Sequence, residues 1–106
     1  MLFRSVRRAR EAGVPLLGLV ENMGSAVCPR CGGESQLFHE DSAAERAAEM
    51  GLELIARVPF DARFAAAADA GRPLPRAGEE PSPAVRSIRE LADRLSNGRK
   101  EAPCRP

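Results

Sequence analysis

Near the start of the chain, apolar Leu2, Phe3, Val6 and Ala9 recur at helical spacing with Arg4, Arg7, Arg8 and Arg10 on the other side, until Gly13 breaks the pattern. The spacing predicts an amphipathic helix over Leu2 to Ala12, its arginines a solvated face. VPLLGLVEN, Val14 to Asn22, is a nearly continuous apolar run, as expected of a strand buried on both faces of a parallel sheet. SAAERAAEMG then opens with Ser42 and Glu45 at capping-box spacing and closes on Gly51, which marks both ends of a second helix. LELIARVPF, Leu52 to Phe60, predicts a second strand, with Pro59 tolerable only at its end. Asp61 caps the helical ARFAAAADAG, and a proline-dense loop runs from Arg72 to Pro83. Ser82 as cap and Pro83 at the first helical position open a last helix, whose apolar stripe is Val85, Ile88, Leu91 and Leu95 and whose end is Asn97–Gly98.

Helix, strand, loop, helix, strand, helix, helix is an α/β order. Two strands cannot form a sheet buried on both faces, and a strand as apolar as Val14 to Val20 expects neighbours on each side. The pattern therefore predicts the C-terminal part of a larger domain.

The totals add little that is specific. A chain of 106 residues with 43% hydrophobic content fits one small domain, and 16 Lys+Arg against 15 Asp+Glu leave no field to draw it to nucleic acid or lipid. MLFRSVRRAR is basic but lacks the apolar run of a signal peptide, and nothing downstream approaches the roughly 20 apolar residues of a membrane span. The expected compartment is the cytoplasm, with neither nucleic acid nor membrane as partner.

In that reducing compartment, close-spaced cysteines favour metal binding or redox work over a structural disulfide. Cys28-Pro-Arg-Cys31 is followed by Gly32 and Gly33, a metal knuckle: the spacer turns both sulfurs to one ion, and the glycines allow backbone N–H groups to face the thiolates. A redox site would follow a thioredoxin-like strand pattern, which is missing here. One knuckle supplies two ligands where zinc and iron–sulfur centres usually take four. His39, the only histidine, reads as a surface or capping residue, and Cys104 in the tail EAPCRP as incidental. A second copy related by a twofold axis is the more economical donor. Spacing alone leaves zinc and iron–sulfur both open.

GVPLLGLVENM, then CPRCGG, then ERAAEMGLELIARVPFDARFAAAADAGRPL resembles the C-terminal part of the Mrp-type iron–sulfur carrier ATPases, which belong with the ParA and MinD group of P-loop proteins. The match covers Leu2 to Leu74, and the combination of these motifs in this order is specific. The resemblance implies the C-terminal portion of a three-layer α/β/α P-loop NTPase domain with parallel strands, two strands and about four helices of it in this chain. That portion would span residues 1–98, with a cluster-binding loop at 24–41 and a disordered tail at 99–106.

The resemblance also implies that Cys28 and Cys31, with the same pair from a second subunit, bridge a 4Fe-4S cluster in a homodimer that passes it to acceptor apoproteins. Asn22 would contact the nucleotide base, and Pro59 with Asp61 would line the second loop of that pocket. Without the resemblance, Asn22 reads as a turn or strand-capping residue and Asp61 as a helix cap. In the complete family member, ATP and magnesium would gate transfer. The phosphate loop belongs to an N-terminal half, and no G-x-x-x-x-G-K-[ST] occurs here, so the chain alone is expected to be without ATPase activity. ESQLFHEDSAAE stands where relatives usually continue glycine-rich, and Gly24 where a serine is common. The competing function is a zinc-knuckle interaction module that orders a loop and does no chemistry.

Overall fold

The computed structural model describes residues 2–38, 42–72, 75 and 78–99. Its elements are α1 (Leu2–Glu11), β1 (Leu19–Val27), β2 (Glu34–Gln36), α2 (Ser42–Glu49), β3 (Leu54–Phe60), α3 (Ala62–Asp69) and α4 (Pro83–Arg99). The sheet order is β2-β1-β3, with β1 parallel to β3 and antiparallel to β2. The α/β expectation and the parallel pair hold. His39, Cys104 and residues 100–106 of the expected tail lie outside the described residues, while Arg99 closes α4.

Two expectations are corrected. A third strand exists, since the polar Glu34–Gln36 folds back on β1 as a hairpin that apolar patterning does not reveal. The first strand is also displaced toward the C-terminus, beginning at Leu19 rather than Val14. Pairing decides this: the Leu19 N–H donates to Glu53 O at 2.8 Å just before β3, and residues ahead of it have no strand opposite. Val14 and Leu17 stay 53% and 70% exposed, so the apolar run does not gain the two-sided burial it suggests.

Gly18 sets the entry into β1. Its φ is +154°, and a Cβ there would sit 2.6 Å from Ile55 Cγ2 and 2.9 Å from the Glu53 carbonyl oxygen. Ile55 can rotate, but the backbone carbonyl that starts the parallel pairing cannot give way as cheaply. Gly18→Ala is therefore expected to destabilise the fold by about 1–3 kcal/mol, read as a lower urea midpoint. An unchanged midpoint would show that the strands separate without penalty.

Helix α4 lies along β3 with Val85 buried and Ile88, Leu91 and Leu95 half-buried, the stripe its sequence predicts. Arg94 fastens it, donating to Ile55 O at 2.7 Å and to Glu53 Oε1 at 2.9 Å. Among the described residues, Val6 of α1, Ala47 and Met50 at α2, Pro59 of β3, and Ala84 and Val85 of α4 are buried. Phe3, expected on the apolar face of α1, is 54% exposed. Among the described residues, no helix is long and apolar enough to cross a membrane.

Candidate metal centre

The register pairs Ser25 with Gln36, Ala26 with Ser35 and Val27 with Glu34, which leaves Cys28 to Gly33 as the hairpin tip. Two backbone bonds close it: Cys28 N–H donates to Gly33 O at 2.8 Å, and Gly32 N–H to Cys28 O at 2.9 Å. The second bond forms because Gly32 takes φ +71°, a conformation that carries little cost only without a Cβ. Below the tip, the buried Ser25 hydroxyl donates to Glu34 Oε1 and clips the two strands together.

The turn directs donors at sulfur. Cys28 is half-buried, and the N–H groups of Cys31 and Arg30, with the Cys31 thiol, hold its thiol below the usual cysteine value against a small opposing effect of burial. Gly33 N–H approaches Cys31 Sγ at 3.4 Å, and Cys31 itself is exposed. The expected N–H support of the thiolates is thus present, but for Cys28 it comes from Arg30 and Cys31 rather than from the glycines. Two soft thiolates with backbone donors suit zinc or iron. Among the described residues, no three Cys, His, Asp or Glu side chains converge on one point, so the hairpin offers two ligands.

Asn22, Pro59 and Asp61 gather at one end of the parallel pair. Asn22 is exposed on β1 opposite Val58, Pro59 is buried next to the end of β3, and Asp61 follows that strand. Directly after Asn22, β1 breaks register: Met23 has φ +62° and pairing with β3 resumes only at Ala26 opposite Phe60. This bulge turns the strand from its β3 partner toward the hairpin. At Gly24 a Cβ would meet only the Glu21 side chain, whose carboxylate end can move aside.

Asp61 is 5% exposed and joins two helix ends. Its Oδ1 accepts from Arg63 N–H at 3.0 Å and Phe64 N–H at 3.4 Å, capping α3, while Oδ2 accepts from Ala84 N–H at 3.4 Å at the start of α4. Burial pushes this carboxyl upward, but the neighbouring Ser82 hydroxyl and the N–H groups of Ala84, Phe64 and Arg63 outweigh it and hold it below the usual aspartate value. Ser82 Oγ is fully enclosed and makes no hydrogen bond of ordinary geometry, so the aspartate carries the cap expected of the serine. A cavity of about 280 Å³ joins Cys28 and Pro29 of the tip to Asp61, Arg63 and Arg86. Asn22 and Pro59 do not line it. A larger cavity of about 630 Å³, between α3, α4 and the loop before α4, does not reach the cysteines.

Sequence reasoning missed the Ser25–Glu34 clip, the Met23 bulge and the contact from Asp61 to α4. The first had a faint signal in Gly32-Gly33 ahead of a short polar run, a hairpin cue. The other two depend on contacts between strands and helices and leave no local mark.

Comparison with known proteins places the chain in a family. The family described as ParA, NUBPL iron-transfer P-loop NTPase, matches residues 2–96. The iron-sulfur cluster carrier protein of Pyrococcus furiosus is 31% identical over 98 residues, 92% of this chain and 32% of that protein. The cytosolic Fe-S cluster assembly factor NBP35 of Kluyveromyces lactis is 36% identical over 95 residues, 87% of this chain and 28% of that protein. The chain thus spans about a third of the length of these curated relatives. Among solved structures, the nucleotide-binding protein from Archaeoglobus fulgidus in complex with ADP superposes with a TM-score of 0.59 at 33% identity, covering 68% of this chain and 30% of that one. A family match over nearly all of its residues means that this chain belongs to the ParA-type iron-transfer P-loop NTPases.

Proposed function

We propose that this chain supplies one half of the cluster site of a cytoplasmic iron–sulfur carrier, and that the cargo is a 4Fe-4S cluster held between two copies and handed to acceptor apoproteins. The observation that carries this is the hairpin tip: two thiols facing backbone donors, one of them exposed, with no further ligand converging among the described residues. The names of the curated relatives, an iron-sulfur cluster carrier and an Fe-S assembly factor, support it.

Each part of the tip then has a task. Cys28 and Cys31 bind as thiolates, and the N–H groups of Arg30, Cys31 and Gly33 offset the negative charge that gathers there. Exposure of Cys31 leaves the cargo reachable by an acceptor thiol, which suits transfer better than storage. Asn22 and Pro59 would form the base-side wall of a nucleotide pocket at the carboxyl ends of β1 and β3, where ligands bind in open α/β sheets. Asp61 serves that wall from behind, its oxygens committed to the ends of α3 and α4. Phosphates and magnesium would be held by the remainder of a complete family member, since the lysine-bearing glycine loop they require is not in this sequence.

Anaerobic reconstitution with ferrous iron and sulfide tests the proposal. The expected product is brown, carries one cluster per two chains, and sediments as a dimer where the apoprotein is a monomer, because each chain brings half the ligands. A colourless protein that retains stoichiometric zinc and refuses iron would overturn it in favour of the interaction module.

A further inference from the structure

Strand β1 leads from the end of the parallel pair to the cysteines, and it does not run straight. From Asn22 opposite Val58 to Ala26 opposite Phe60, β1 advances four residues while β3 advances two, so β1 carries two extra residues there. Extra residues in one strand bend it and increase its local twist. The bend falls at Met23, whose φ of +62° is the one positive value outside glycine among the described residues. A residue with a Cβ disfavours that conformation, which persists only where the structure around it enforces it.

Met23 is enforced from both sides. Ahead of it, β1 is paired to β3 from Leu19 to Asn22. Behind it, Gly24 O accepts the Leu37 N–H at 3.0 Å, and the buried Ser25 is paired with Gln36 and clipped to Glu34. The chain must leave β3, take up β2 and return to β3 at Ala26 within these few residues. The side chain of Met23 contributes little to this, being 49% exposed. What the position supplies is its backbone conformation.

The bend decides where the cysteines stand. Cys28 and Pro29 of the tip line the same cavity of about 280 Å³ as Ala62 at the start of α3 and Pro83 at the start of α4. In this place Cys28 is half-buried and Cys31 exposed. A strand that paired with β3 residue by residue past Asn22 would carry the tip two residues, roughly 6–7 Å, further along and past the helix starts.

We infer that Met23 is a positioning residue for the cysteine pair: its left-handed backbone takes two residues of β1 into the bulge and so seats the tip against the starts of α3 and α4. That these thiols hold a cluster rests on the function proposed above; where the tip sits does not. The side chain then matters only through what its Cβ does to the backbone. Glycine and asparagine enter the left-handed region readily, whereas a β-branched residue there is an outlier. A backbone requirement therefore groups Gly and Asn with Met and sets Val apart, although Val is nearest to Met in hydrophobicity.

The test is iodoacetamide alkylation of the full apo chain, with Cys28 and Cys31 followed separately by peptide mass. Urea midpoints are measured alongside, and a chelator challenge times cluster loss after reconstitution with iron and sulfide. Met23→Val is expected to speed alkylation of Cys28 about fivefold over wild type and to shorten cluster lifetime by a similar factor. Cys31, already exposed, should hardly change. The N–H donors to Cys28 lie within the tip and move with it, so the change reads cover and not ionisation. Met23→Gly and Met23→Asn should keep wild-type alkylation and lifetime. Their urea midpoints should lie at or above wild type, whereas glycine in an ordinary extended strand lowers the midpoint. Wild-type alkylation in Met23→Val, or glycine and asparagine variants that behave like valine, would overturn the assignment. If Met23→Val loses its far-UV dichroism, the midpoint of Met23→Gly decides: a value at or above wild type upholds the left-handed requirement, and a lower value overturns it. A wild-type chain that takes up no cluster would overturn the proposed function, and the alkylation pattern would still decide the part of Met23.

Discussion

Cys28→Ser and Cys31→Ser will each reduce bound iron and sulfide to background after reconstitution, while Cys104→Ser will keep the wild-type content. In the shared site proposed above each chain would contribute one pair of thiols, so a single replacement would remove two of the four ligands. A serine hydroxyl does not replace them, since it stays protonated where the thiol ionises. Cys28 carries the larger share of backbone support for the thiolate form, and Cys31 is the exposed member of the pair. Neither can stand in for the other, because the tip lets one sulfur receive N–H groups from Arg30 and Cys31 and the other an N–H from Gly33. Iron and acid-labile sulfide analysis of the three variants is the measurement. Equal loss in Cys104→Ser would make the tail cysteine a ligand, and full retention in Cys31→Ser would remove the knuckle from the site altogether.

Asp61→Ala will cost about 1–4 kcal/mol of folding stability, from two helix caps at roughly 0.5–2 kcal/mol each. The carboxylate satisfies N–H groups of Arg63, Phe64 and Ala84 in one buried position, so its removal strands donors on two helices at once. Asp61→Asn keeps an acceptor of similar shape and should cost less than half as much. The effect has a defined pH dependence. The carboxyl is held below its unfolded value, so its ionisation stabilises the folded state in full above that value, about 3.9, and loses this effect as pH falls through the lower folded value. Urea midpoints of the wild type and Asp61→Asn should therefore differ by a constant amount from pH 7 to about 5 and converge below about 4. A difference that persists unchanged into strong acid would show that the charge of Asp61 is not what holds α3 and α4 together.

Much of the local structure was legible in particular residues. Ser42 and Glu45 marked the region of α2 and Pro83 the first residue of α4, while Asp61 announced α3 and caps it, because a cap or a proline acts on backbone groups within one turn of itself. The stripe Val85, Ile88, Leu91 and Leu95 faced β3 as its spacing required. The strands were less legible. An apolar run records that a segment suits burial, but its limits depend on the partner, and β3 offers one only from Glu53 onward. The strand therefore starts at Leu19 and extends through Asn22 into residues that look like loop.

The candidate site divides along the same line. The sequence by itself determined the chemistry: two cysteines at chelating spacing, glycines that permit a tight turn, an aspartate suited to capping, and family motifs in a specific order. These depend on residue type and short separation, which the chain carries whatever its conformation. Only the tertiary structure decided that the thiols sit at the tip of a hairpin, that Ser25 and Glu34 clip it, and that Asp61 reaches Ala84 across 23 positions of sequence. It also decided that Met23, Leu37 and Phe38 share the hairpin base with their side chains in solvent. Those relations come from strand register and helix packing, which follow from the sum of many distant contacts and are written in no single stretch of residues.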